Sequence, residues 1–215
     1  MPSLRKRWSR FRRKHFGRVR LTGKHYVAAK EILLDVTDRC EAAGIDYALD
    51  CGTLLGIARE GDLIPWDFDL DITVPVADVE KFRSIMPGLA ERWRLYDDHL
   101  MESAQPGWKV GDLRSIKVRN YRFPMFKMGR GRIVMDVFVT YPNDDQVEWV
   151  MLNHVCRAPK EHFEGRDTLQ FAGRDLRAPR NHEGYLELVY GPNWRIPDPD
   201  FKWDDHGSFD RHATN

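Results

Sequence analysis

The first sustained pattern in the chain is a stripe of apolar residues at steps of three and four: Ala29, Ile32, Leu33, Val36, Cys40 and Ala43, with Gly44 directly after. That spacing predicts an amphipathic helix stopped by a glycine. Ile45, Tyr47 and Leu49 then alternate with polar residues, which predicts a short strand. "CGTLLGIAREG" (51–61) reads as a tight turn into a short helix, because two glycines flank a short apolar stretch. At Asp67 the period becomes two. Asp67, Asp69 and Asp71 alternate with Phe68, Leu70, Ile72 and Val74, so a strand here would carry three carboxylates on one face and a core-forming apolar set, Phe68 included, on the other. Val79, Phe82 and Met86 mark the next helix, closed at Pro87-Gly88. Strands are expected at 93–96, 113–119 and 131–140, a hairpin at 168–179, and a short helix within 181–194 ending at Gly191-Pro192. Strands and helices mix without regular βα alternation, so the expected class is α+β with a mixed sheet.

The carboxylates make this pattern more than a fold signal. Three like charges side by side weaken a sheet, and a hard divalent cation is the simplest compensation. The competing reading leaves one or two of them as solvated charges on the strand face. Asp67 stands where the strand begins, and a local cap or hydrogen bond is a second role for it. Asp136 is a lone acid in "IVMDVFV", and burying it alone is costly. If its strand neighbours that of Asp69 and Asp71, three carboxylates meet. Such a cluster suits Mg²⁺ or Mn²⁺ and phosphoryl transfer. Gly52 and Thr53 stand where a strand passes into a helix, a place that can receive phosphate, although Thr53 also reads as a plain N-cap. Arg59, Lys117 and Arg119 could meet phosphate charge; an Arg on a helix is equally a solvated surface group.

Charge divides the chain. Of its 34 bases, 11 precede the first acid, Glu31, so 23 bases face 33 acids in the remainder, a net of about −10. Residues 1–24 therefore form a basic arm, in which Leu4, Trp8 and Phe11 follow helical spacing. Such an arm suits an anionic membrane surface or a partner, a solvated tail, or nucleic acid; the acidic body argues against a specific nucleic-acid partner. Cys40, Cys51 and Cys156 are too scattered for a disulfide framework, which points to a reducing, cytoplasmic setting. No run of about 18 apolar residues spans a membrane, and no apolar segment follows the basic start as a signal peptide would require.

"CGTLLGIAREGDLIPWDFDLDITVP" (51–75) resembles the signature of the LicD/fukutin family, in Gly52, Thr53, Leu54, Leu55, Gly56, Arg59, Gly61, Ile64, Pro65, Trp66, Asp67, Asp69 and Asp71. "VMDVFV" looks like that family's later strand with the third carboxylate, and "YLELVYGPNWRIP" (185–197) its closing segment. The departure is Phe68, where many bacterial members carry an acid. The resemblance covers about residues 25–200 and implies a nucleotidyltransferase-like mixed sheet flanked by helices, with 201–215 as an irregular tail. It implies a transferase moving a phospho-alcohol, of the phosphocholine, ribitol phosphate or glycerol phosphate type, from a CDP-activated donor to a glycan or lipid-linked glycan hydroxyl, with release of CMP. Asp69, Asp71 and Asp136 would bind metal and carry catalysis, with Asp67 a fourth candidate and Asp136 helping to deprotonate the acceptor. Gly52, Thr53 and Arg59 would bind donor phosphate, with Lys117 and Arg119 nearby. The basic arm would hold the enzyme peripherally at the inner membrane face. The alternatives are a nucleotidyltransferase moving an NMP group to a sugar, protein or RNA, and a non-catalytic scaffold on the same fold. Trp66, Tyr190 and Trp194 are each open between core packing and a pocket wall.

Overall fold

The computed structural model describes residues 19–89, 93–123, 128–151, 154–201 and 207–208. The apolar stripe forms α1 (Lys24–Ala43), with Ala29, Ile32, Leu33, Val36 and Cys40 buried. Gly44 stops it in the left-handed conformation, φ 62°, and the Gly44 and Ile45 amides donate back to the Glu41 and Cys40 carbonyls. This is the glycine-terminated closure that the sequence suggested. After β1 (Ala48–Leu49) the chain enters α2 (Cys51–Glu60) at once, so Gly52 and Gly56 lie inside the helix rather than in a turn before it. A Cβ on Gly56 would meet the Asp62 carbonyl oxygen at 2.6 Å. The glycines therefore serve close packing against the following loop, at the expense of helix propensity.

The sheet is built from β2 (Leu70–Pro75), β3 (Trp93–Leu100), β4 (Leu113–Phe123) and β5 (Met128–Asn143), in the order β1-β2-β5-β4-β3. β2 and β5 run parallel and their neighbours antiparallel, which gives the mixed sheet. The far end of β5 pairs with β6 (Gln146–Met151), and β6 with β7 (His154–Pro159). Neither β6 nor β7 was expected from the sequence. Between β2 and β3 lies α3 (Val79–Leu89), which runs one residue beyond the expected stop at Pro87-Gly88. Gly88 sits against the Arg39 guanidinium of α1. A separate hairpin, β8 (Arg166–Phe171) and β9 (Arg174–Pro179), precedes α4 (His182–Tyr190).

Alternation on the sheet decides what faces what. Leu70, Ile72 and Val74 of β2, Met135 and Val137 of β5, and Ile116 and Val118 of β4 join the α1 stripe and Phe82 and Met86 of α3 in one buried core. The opposite face carries Asp71, Asp136 and Lys117.

Described residues of both flanking segments touch the body. Residues 1–18 of the basic arm lie outside the described residues. Leu21, also assigned to that arm, is 2% exposed and its amide donates to the Asp67 carbonyl at 2.9 Å. At the other end Ser208, placed in an irregular tail, is buried, and its carbonyl accepts from the Arg157 amide of β7. Packing thus reaches into both segments.

Candidate active site

Parallel pairing of β2 with β5 places Asp71 and Asp136 directly across from each other. The start of β2 is clamped by the entry to α2. The Asp71 amide donates to the Thr53 hydroxyl at 2.9 Å, and the Asp71 carbonyl accepts from the Asp50 amide at 3.1 Å. Thr53 is buried and is not the N-cap. That role belongs to Asp50, whose Oδ1 accepts from the Cys51 amide at 2.8 Å and from the Tyr185 hydroxyl at 2.9 Å. Its other oxygen is buried without a hydrogen-bond partner. Burial pushes the Asp50 carboxyl up to about 6, against the opposing hydrogen bonds. Asp71 is pushed well above the ordinary carboxylate range, first by burial and then by the charges of Asp69, Asp136, Asp67 and Asp50.

Asp67 and Asp69 precede the strand, which begins only at Leu70. The three carboxylates therefore do not line one strand face as the alternation suggested. A turn at Pro65-Trp66 delivers Asp67 from the loop. Its Oδ1 accepts from the Phe68 amide at 2.8 Å, and its other oxygen lies where a Cβ on Gly52 would stand. Gly52 is thus required by the approach of a carboxylate. Phe68 is the second correction: off the strand, it lines the cleft instead of the core.

That cleft, about 450 Å³, gathers Asp67, Asp69, Asp71 and Asp136 on its wall. Trp66, Phe68, Phe138 and Tyr190 supply aromatic surface. Tyr190 meets Phe201 in a tilted aromatic contact with ring centroids 4.9 Å apart, so α4 and the segment after it close one side. Burial, followed by the nearby acidic groups, holds the Tyr190 hydroxyl well above its ordinary range. Trp194 is core, 5% exposed. The same closing segment contributes a fifth wall carboxylate, Asp198, whose Oδ1 accepts from the Asp200 amide at 2.9 Å. Asp50 could have been found in the sequence as an acid directly before a helix. Asp198 carries no such signal.

The basic candidates are placed differently. No Lys or Arg is among the described residues lining the cleft. Arg59 pairs with Glu60 and donates to the Trp194 carbonyl at 3.5 Å, with its side chain 7% exposed. Arg119 lies on β4 opposite Val134. Lys117 stands opposite Asp136 and donates to both of its carboxylate oxygens, the longer contact being 2.6 Å.

The wall offers hard carboxylate oxygens, the donor chemistry of Mg²⁺ and Mn²⁺. The crowding of charge around buried Asp71 is what such an ion would relieve. Among the described residues no three acidic, imidazole or thiol groups already stand as a cation cage. The residues fit a divalent ion in kind, and one of them is held by a lysine.

The mixed sheet, with an acidic cleft beside the entry of a short helix, fits the nucleotidyltransferase-type domain that the family match gives. Residues 44–181 match the LicD/FKTN/FKRP nucleotidyltransferase domain, and the chain belongs to that family. The chain is 29% identical over 182 residues to the ribitol 5-phosphate transferases FKRP of Mus musculus and Homo sapiens, a match covering 80% of this chain and 34% of each relative. It thus spans about a third of the length of the curated relatives it matches. An uncharacterized Rickettsia typhi protein, RT0683, is 33% identical over 70 residues, covering 33% of this chain and 23% of that protein. Among solved structures, ANT(2")-Ia in complex with adenylyl-2"-tobramycin is similar at TM-score 0.46 and 15% identity, covering 81% of each chain. The lincosamide adenylyltransferase LnuA is similar at TM-score 0.44 and 14% identity, covering 76% of this chain and 91% of that one. Among the described residues no helix is long and apolar enough to cross a membrane.

Proposed function

We propose that this domain transfers a phospho-alcohol from a CDP-activated donor to a glycan hydroxyl. The observation that carries the reading is the in-register pairing of Asp71 and Asp136 on adjacent parallel strands, in a cleft they share with Asp67 and Asp69. Family membership and the FKRP relatives support the class of reaction. Asp69, Asp71 and Asp136 would hold Mg²⁺ or Mn²⁺, with Asp67 beside them. The ion supplies charge neutralisation at the donor phosphates.

The acceptor oxygen attacks the phosphorus that bears the alcohol, the bond from that phosphorus to the oxygen of CMP breaks, and Asp136 takes the acceptor's proton. The aromatic wall excludes water that would otherwise compete as nucleophile. Thr53 and Asp50 fix the backbone of Asp71 so that its carboxylate does not drift. Lys117, paired with Asp136, is the basic candidate that adjoins the acids of the cleft. The arm of residues 1–18, with eight bases, would hold the enzyme at an anionic membrane carrying a lipid-linked acceptor.

A donor screen tests the reading. The full chain is incubated with Mn²⁺ and each of a panel of CDP-alcohols, and melting temperature is followed. The true donor stabilises by RT ln(1 + [L]/Kd) and should yield free CMP when a glycan acceptor is added. Asp71→Asn should abolish CMP release while raising the melting temperature of the cation-free protein, because it removes a buried like charge. Release of pyrophosphate from a nucleoside triphosphate, with no CMP from any CDP-alcohol, would replace this reading with nucleotidyl transfer.

A further inference from the structure

The contact between Lys117 and Asp136 sets a problem for the site. A divalent ion at the cleft needs the Asp136 oxygens, yet Lys117 holds both of them. The two side chains face each other across β4 and β5, 24% and 13% exposed, so the pair is shielded and of firm geometry. On the other side of Asp136 stands Asp71, buried and crowded by charge. One acid of the in-register pair is thus compensated by an ammonium. The absence of a ready cation cage among the described residues agrees with this.

We infer that Lys117 is a stand-in for the cation. It neutralises Asp136 while the site is empty, yields the carboxylate when the ion enters, and then turns to the phosphate of the donor. This rests on the reading above that the cleft takes a divalent cation. Lysine suits the exchange because its charge is compact, its donors rotate freely and its stem is flexible. An arginine would grip the carboxylate with a planar fork. Only a side chain need move, since β4 is anchored in the sheet. The released ammonium needs a new partner, and a phosphate supplies one. Cation and donor therefore favour each other's binding, and the coupling is reciprocal.

Mn²⁺ binding to the full chain, followed by loss of the free-ion paramagnetic resonance signal, tests the exchange without reference to turnover. Lys117→Met should bind Mn²⁺ alone about tenfold more tightly than the unaltered chain, and at saturating Mn²⁺ should bind CDP about tenfold more weakly. Lys117→Gln, which keeps a donor beside Asp136 without the charge, should shift both affinities in the same directions and serves if the methionine variant fails to fold. Unchanged or weaker Mn²⁺ affinity in a folded variant, or unchanged CDP affinity at saturating Mn²⁺, overturns the stand-in role. If the unaltered chain and both variants all fail to bind Mn²⁺, the cation reading falls and this inference falls with it.

Discussion

At the scale of single residues, the most informative contact is that of Thr53 with Asp71. In sequence Thr53 reads as an N-cap or a phosphate ligand, yet as the third residue of α2 its hydroxyl receives the Asp71 amide at 2.9 Å in a buried setting. Thr53→Val keeps the shape and leaves that amide without a partner. Chemical denaturation should show a loss of about 1–3 kcal/mol, and Thr53→Ser should restore most of it. Phe68 teaches the complementary lesson. Its alternation with Leu70 and Ile72 assigns it to the core, because the two-residue period begins at Asp67. The strand starts three residues later, and Phe68 faces the cleft. Periodicity locates a strand but does not mark where pairing with a neighbour first becomes possible.

At the scale of elements, the β8–β9 hairpin carries a local strain that can be measured. Phe171 pairs with Arg174, so the turn has two residues, Ala172 and Gly173, both with positive φ, 53° and 77°. Two-residue hairpin turns of this hand match strand twist, and Asn-Gly is their favoured sequence. Alanine in the left-handed region costs about 1–2 kcal/mol. Ala172→Asn should therefore raise stability by ~1 kcal/mol, read as a higher melting temperature with unchanged activity. The converse holds at Gly56. Gly56→Ala would gain ~1 kcal/mol of helix propensity. It would also drive a methyl into the Asp62 and Ile64 backbone. Thermal melts should show a net loss, since backbone cannot yield cheaply.

At the scale of the whole molecule, buried acids and the packing of Leu21 bear on stability. Asp50 ordinarily titrates near 3.8 and burial raises it to about 6. Between those values the native state holds a proton that the unfolded chain has released, so stability falls as pH rises through this window. The loss amounts to roughly 3 kcal/mol and is complete by about pH 7. Asp71, also raised, acts in the same direction. The cation-free protein should melt higher at pH 5 than at pH 7.5, Asp50→Asn should flatten that slope, and Mn²⁺ should recover stability at pH 7.5. Truncation gives an independent check. Relative to a chain lacking only residues 1–18, a second deletion that runs to residue 22 removes buried Leu21 and its hydrogen bond to Asp67. That second deletion should cost about 2 kcal/mol. What the sequence determined by itself was local: the α1 stripe with its glycine stop, the strands around Asp71 and Asp136, and Asp67, Asp69, Asp71 and Asp136 as acids in need of compensation. Periodicity and composition are written between neighbouring residues, so they survive without a fold. Tertiary structure alone decided that β2 lies parallel to β5 with Asp71 across from Asp136, that Lys117 takes Asp136, that Asp198 joins the wall, and that Leu21 and Ser208 pack on the body. Those are pairings between residues far apart in sequence, and they exist only once the sheet order is set.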